Sequence, residues 1–179
     1  MYAVETYNQL LGLATFALQV VTLGFLALFL LQEKYPDLGG VGALIERWGL
    51  WLAFGASSVA VVLALFYSEV LGFVPCGLCW LMRIFMFSQV PLFAVALWKR
   101  DSGIADYSIT LSIAGFFLGL YQHYLQMGGG ALVPCPASGG GDCAQRFLFE
   151  LNYITFPLMG ATLFAFLIVL MLFVRKRRV

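Results

Sequence analysis

The sequence predicts an all-α membrane protein with five membrane-spanning helices, and three observations carry that expectation. Of 179 residues, 62% are hydrophobic and only 11% charged, against about 45–50% and about 25% in soluble domains. The charges are bunched, leaving five long stretches without any. The basic residues then sort to one side of a five-span arrangement. The same composition excludes a disordered chain, which buries little apolar surface. A net charge of +1 offers no basis for nucleic-acid binding. Once the spans are counted, no room remains for a second soluble domain.

A span needs about 20 apolar residues. The first is predicted over residues 9–31, between Glu5 and Gln32. It lacks a basic n-region and a small-residue cleavage site, so it reads as a retained helix rather than a signal peptide. The second covers 48–68, between Arg47 and Glu69. The third charge-free stretch, 84–98, is short and becomes a span if it begins near Trp80 and takes in Arg83. Pro91 lies inside it, which membrane helices tolerate. The fourth covers 107–127, and the fifth 151–174, with Pro157 in its early turns. Trp80, Trp98 and Tyr107 suit the interfacial aromatic belt.

Lys34, Arg47, Lys99, Arg100, Arg175, Lys176, Arg177 and Arg178 fall on one side of this arrangement, and only Arg83 and Arg146 on the other. The crowded side is expected to be cytoplasmic and the N-terminus outside.

All four cysteines lie in the two outer connections. Cys76-Gly-Leu-Cys79 precedes the third span, while Cys135 and Cys143 lie between the fourth and fifth. Two crossings separate the pairs, so they share a compartment whichever way the chain inserts. An even cysteine count in an oxidising space points to disulfides. A CxxC closes a small, reducible ring, and its thiolate benefits from a helix N-terminus. With Pro75 ahead of the motif, the helix is expected at or just after Cys79, its dipole favouring negative charge on that sulfur. Arg83 follows one turn later on the same face; its bland alternative is a snorkelling anchor. The stretch 133–143, with its glycines, reads as a flexible loop, and 142–150 as a short interfacial helix steadying Cys143.

Four cysteines also suggest a zinc or iron–sulfur site, but the step from Cys135 to Cys143 makes a poor metal knuckle. No dinucleotide fingerprint or P-loop is found. Electrons passed by these pairs therefore need an external acceptor, and a lipid-soluble quinone, ubiquinone or menaquinone, is the expected one. His123, in Tyr121-Gln122-His123-Tyr124, is either a packed helix residue or a quinone contact level with Arg83.

Residues 73–87, Phe-Val-Pro-Cys-Gly-Leu-Cys-Trp-Leu-Met-Arg-Ile-Phe-Met-Phe, resemble the first catalytic loop of the disulfide bond formation protein B family and its BdbC-like branch. Pro134-Cys135-Pro136 and Gly141-Asp142-Cys143-Ala144-Gln145-Arg146 resemble the second. The resemblance spans roughly residues 48–174. It implies a four-helix transmembrane bundle core, 48–179, preceded by an extra N-terminal helix and its connection, 1–47, which reads as a peripheral anchor. It implies a thiol oxidase that reoxidises an extracytoplasmic thioredoxin-fold partner of the DsbA/BdbD type and passes electrons to quinone. Cys135 then resembles the cysteine that captures the partner, Cys143 its companion, Cys76 the cysteine Cys143 attacks, and Cys79 the one beside the quinone. Arg83 and His123 match quinone-site residues. Leu81-Met82 stand where the BdbC-like branch commonly has Tyr-Gln.

Rival readings are a vitamin K epoxide reductase-like quinone reductase, whose CxxC follows its loop pair rather than preceding it, and a transmembrane reductant conduit, which needs cysteines buried in helices. A non-enzymatic metal-binding membrane protein is the third.

Overall fold

Among the described residues, five helices, each long and apolar enough to cross a membrane, make up the bundle. The computed structural model describes residues 2–32, 34–35, 39–132, 135 and 142–176. In chain order the helices are α1 (Tyr2–Leu31), α2 (Gly39–Leu65), α3 (Gly77–Lys99), α4 (Ile104–Gln126) and α5 (Phe156–Lys176). The expected all-α membrane architecture is what forms. The protein is a multi-pass membrane protein.

The boundaries depart from the charge-free stretches in instructive ways. Helix α2 starts at Gly39, well before residue 48, because Glu46 and Arg47 extend the helix beyond its apolar length without breaking it. It ends in a π-helical turn, Phe66–Val70. Helix α3 starts at Gly77 rather than at or after Cys79. Cys76 is its N-cap in extended conformation, and the Cys79 backbone N–H donates to the Cys76 Sγ at 3.4 Å. The sulfur thus takes the role that a Ser or Asp oxygen plays at other helix starts. The helix runs continuously through Pro91. Helix α5 begins at Phe156, not near residue 151, because Leu151 and Asn152 adopt left-handed conformations in the turn that pairs Glu150 with Ile154. Pro157 then falls in the first turn, where its missing N–H costs nothing.

The interfacial helix expected over 142–150 does not form. Asp142 accepts from the Ala144 N–H at 3.0 Å, which closes one turn. Tertiary anchors then hold the chain irregular: Gln126 Nε2 donates to the Gln145 carbonyl at 2.9 Å, and Leu148 is buried. The glycine-rich stretch 136–141, expected as a flexible loop, lies outside the described residues.

Helix α5 is the axis of the bundle, packing against α1, α2 and α4, while α3 packs against α2 and α4. Phe164, Leu167, Leu170, Met171 and Phe173 of α5 are fully buried. Gly115 and Gly119, four apart on α4, let α5 approach: a Cβ on Gly119 would lie 2.9 Å from the Pro157 carbonyl, and one on Gly115 would strike the Phe164 ring. Small residues at this spacing are how membrane helices make close contact. Gln89 of α3, completely buried, donates to Ser112 at 2.8 Å and accepts from Ser108 at 2.6 Å, joining α3 to α4. The start of α4 and the end of α5 meet at one end through Asp106 and Arg175, 3.2 Å apart and half-exposed. Such a pair contributes ~0–1 kcal/mol.

Helix α1 is more than a peripheral anchor. Gln19 donates to Thr162 of α5 at 3.1 Å and accepts from the Tyr153 hydroxyl at 2.8 Å, and the Tyr67 hydroxyl donates to Asn8 at 2.6 Å.

Candidate redox site

The four cysteines come together at one end of the bundle. Cys76, Leu78, Leu125 and Cys143 form a small buried apolar cluster, with Cys79, Tyr121 and Cys135 packed against it. Cys135 and Cys143 form a disulfide, with Cα atoms 6.0 Å apart. Cys76 and Cys79 are free thiols whose sulfurs share a hydrogen bond at 2.8 Å. The local cause is the N-cap geometry: a helix beginning at Gly77 places residues 76 and 79 across its first turn. The hydrogen bond shared with the Cys79 sulfur, in which Cys76 keeps the proton, followed by burial, pushes the Cys76 thiol well up from its ordinary value.

A residue the sequence reading passed over completes this arrangement. Gln122 of α4 is 1% exposed and donates from Nε2 to Cys76 Sγ at 3.1 Å and to Cys79 Sγ at 3.0 Å. Its Oε1 is buried with no hydrogen-bond partner among the described residues. Buried acceptors of this kind are uncommon and ask for an explanation. The signal was present: Gln122 and Gln126 are two amides four apart on one face of an apolar helix, and polar groups at membrane depth are expensive.

Below the pair lies a cavity of about 470 Å³, within the range of about 300–1,000 Å³ typical of small-molecule sites. Cys79, Arg83, Gln122 and Gln126 line its polar end, and residues of α1, α2, α3 and α5 its apolar walls. Four aromatic rings cap that end: Tyr67 stacks on Phe73 at 5.9 Å, and Phe147 and Phe156 meet them edge-on at 5.1 and 4.7 Å. Arg83 donates from Nη2 to the Ala64 carbonyl at 2.9 Å and lies 5.3 Å from the Trp80 ring centroid. Its partner carbonyl is at the turn where α2 passes into the π-helix, a distortion often found at functional sites.

The structure brings Cys76, Cys79, Arg83, Cys135 and Cys143 to one end of the molecule. His123 is placed differently. It shares a hydrogen bond with the Thr155 hydroxyl at 2.9 Å and does not line the cavity, because its neighbour Gln122 occupies the inward face. Among the described residues no three His, Cys, Asp or Glu side chains converge on a metal position.

A disulfide and a dithiol in one cluster, at one end of a bundle of membrane-spanning helices, define the class: a membrane thiol–disulfide oxidoreductase. The sequence model of the disulfide bond formation protein DsbB family matches residues 46–174, and the chain belongs to that family. Among its relatives is the probable disulfide formation protein C 1 of Bacillus anthracis, 31% identical over 115 residues, covering 64% of this chain and 83% of that protein. The SPbeta prophage-derived disulfide bond formation protein B of Bacillus subtilis is 34% identical over 114 residues, 64% and 76% of the two chains. A probable disulfide formation protein of Chlamydia trachomatis is 32% identical over 135 residues, 75% of this chain and 97% of the other. No solved structure gives a significant match. The protein acts in disulfide bond formation at a membrane.

Proposed function

We propose that this protein reoxidises an extracytoplasmic thioredoxin-fold thiol oxidase and passes the electrons to a membrane quinone. The observation that carries this reading is the joining of the two cysteine pairs in one cluster at the polar end of an apolar cavity. A dithiol partner attacks the Cys135–Cys143 disulfide: one of its sulfurs bonds to Cys135, and Cys143 leaves as a thiolate. The partner's second thiolate then displaces Cys135, and the partner departs oxidised by two electrons. Cys143 in turn attacks Cys76 of the oxidised Cys76–Cys79 pair, releasing Cys79 as a thiolate. Cys135 then displaces Cys76 from Cys143, which restores the loop disulfide and leaves Cys76 and Cys79 reduced. The rate of each exchange depends on the thiolate fraction of the attacker and on how readily the leaving sulfur carries charge.

The cavity fits a quinone by its shape and chemistry: apolar walls at membrane depth, with a guanidinium, an amide and a thiol at one end. When bound, a quinone supplies the sink for the two electrons and two protons of the dithiol. Arg83 would hold a ring oxygen, Gln122 would hold the two sulfurs beside the ring, Cys79 would face the ring, and the four aromatic side chains would exclude water. His123 supports the site at one remove, by fixing Thr155 at the entrance to α5.

In this reading residues 48–179 are the catalytic core and 1–47 an addition to it. The cysteine end faces the outside and the C-terminus the cytoplasm. The test mixes purified protein, a reduced thioredoxin-fold oxidase and a soluble quinone, and follows quinone absorbance and partner thiols together. One quinone should be reduced for each partner oxidised. Partner oxidation without quinone reduction would rule out the acceptor, and no partner oxidation would rule out the whole reading.

A further inference from the structure

Helices α1 and α2 both pack on α5 but, among the described residues, form no continuous interface with each other. They are tied at two places. At the redox end the Tyr7 and Phe66 rings lie 6.5 Å apart and Tyr67 bonds to Asn8 at 2.6 Å. At the other end the Gln32 side chain fills the space over Gly42, where an added Cβ would lie 2.6 Å from its Oε1. Between these ties the two helices contribute Leu11, Ala14 and Leu18 on one side and Gly55, Val59 and Leu63 on the other to the cavity wall. A Cβ built on Gly55 meets nothing within 4 Å, and Val59 is 60% exposed. The cavity that reaches Cys79 and Arg83 is therefore open sideways, toward the lipid, between two pinned helices.

We propose that this opening is a lateral entry window, and that it holds the isoprenoid tail of the quinone whose ring lies at the polar end. The inference rests on the quinone reading above. Three features select this occupant. The space is continuous from Cys79 to Gly55, so a ligand with a polar head and an apolar tail matches both ends at once. The window lies along the membrane-spanning length of both helices, where a tail reaches it directly from the bilayer. Its edges are small, with Ala14 of α1 and Gly55, Ala56 and Ala60 of α2 in the lining, which leaves room for a methyl-branched chain. Helix α1 lies outside the residues that match the family model, 46–174, so one wall of the window is supplied by a segment this chain carries beyond the matched region.

The test places bulk in the window. Gly55→Phe projects into open space and removes a glycine from a helix interior, so folding is favoured. Ala14→Phe narrows the window from the α1 side. Gly24→Phe is the control: Gly24 also meets nothing within 4 Å, but it lies on α1 away from the cavity. Binding to the full-length protein in lipid nanodiscs is measured by quenching of tryptophan fluorescence. The two probes are a benzoquinone bearing a long isoprenoid tail and the same ring without a tail. For Gly55→Phe and Ala14→Phe the ratio of the tailed to the tail-less Kd should rise about tenfold or more, equivalent to ~1.4 kcal/mol. Gly24→Phe should leave the ratio at the wild-type value. An unchanged ratio in both window variants, or an equal rise in Gly24→Phe, overturns the window. Failure of the wild-type protein to bind either probe overturns the quinone reading itself.

Discussion

The guanidinium of Arg83 donates to the carbonyl of Ala64 over 2.9 Å, so the charge on α3 is tied to the point where α2 becomes a π-helix. One arm of the fork is thereby spent on structure, while the side chain also lines the cavity. A hydrogen bond to a charged group is worth roughly 1.5–3 kcal/mol, or roughly 10- to 150-fold in an equilibrium. Arg83→Leu should raise the quinone KM by a factor in that range. Single-turnover exchange between the partner and the Cys135–Cys143 disulfide should be nearly unchanged. Arg83→Lys should fall between, since a point charge serves one of the two roles at a time. Ordinary quinone kinetics in Arg83→Leu would leave Arg83 as a helix tie only.

Gln122 offers a test of the redox pair that needs no quinone. Its two N–H···S contacts stabilise the reduced sulfurs, so removing them should make the pair harder to reduce. Gln122→Leu should lower the Cys76–Cys79 potential by about 30–60 mV, taking roughly 1.5–3 kcal/mol for the lost bonds and 30 mV as ~1.4 kcal/mol for a two-electron couple. The potential is read by equilibration with a dithiol buffer in a Cys135→Ser, Cys143→Ser background. A potential equal to that of the parent would show that the amide only fills space.

The loop pair should divide its labour. Cys143→Ser leaves Cys135 a free thiolate that attacks the disulfide of the oxidised partner, one partner sulfur leaving as thiolate. No Cys143 then stands by to displace the partner and close the loop disulfide. A covalent complex that vanishes on reduction should accumulate and be visible on a non-reducing gel. Cys135→Ser should not form it. Complexes formed through Cys76 instead would move the entry point to the CxxC.

Reporter fusions address orientation. Five spans and the segregation of Lys99, Arg100, Arg175 and Lys176 from the cysteine end predict a cytoplasmic signal from a fusion after Val179 and an external one from a fusion before Met1. Both signals on one side would remove a span.

The α4–α5 contact should be intolerant of volume. Gly119→Ala sets a methyl 2.9 Å from the Pro157 carbonyl and 3.0 Å from the Ala161 Cβ. Overpacking of this kind costs about 1–3 kcal/mol, to be seen as a lower melting temperature in detergent. Gly24→Ala, into open space, should show no loss.

The sequence by itself determined the class, the number of spans and the pairing of cysteines by compartment, because hydropathy and charge act over whole helices and survive errors of several residues at each boundary. Its motif, Cys76-Gly-Leu-Cys79 followed by Arg83, was equally legible, since one turn of helix fixes those residues relative to one another. What lay beyond it depended on which face of a helix meets which neighbour. Gln122 and His123 are adjacent in the chain, yet the rotation of α4, set by Gly115 and Gly119 against α5, turns the amide onto the sulfurs and the imidazole toward Thr155. The residues 142–150 stayed irregular because Gln126 and a buried Leu148 hold them, and no local pattern announces such anchors. The window between α1 and α2 exists only because both helices rest on α5 while touching each other at their ends. A gap of that kind is a property of three helices at once, and no single segment encodes it.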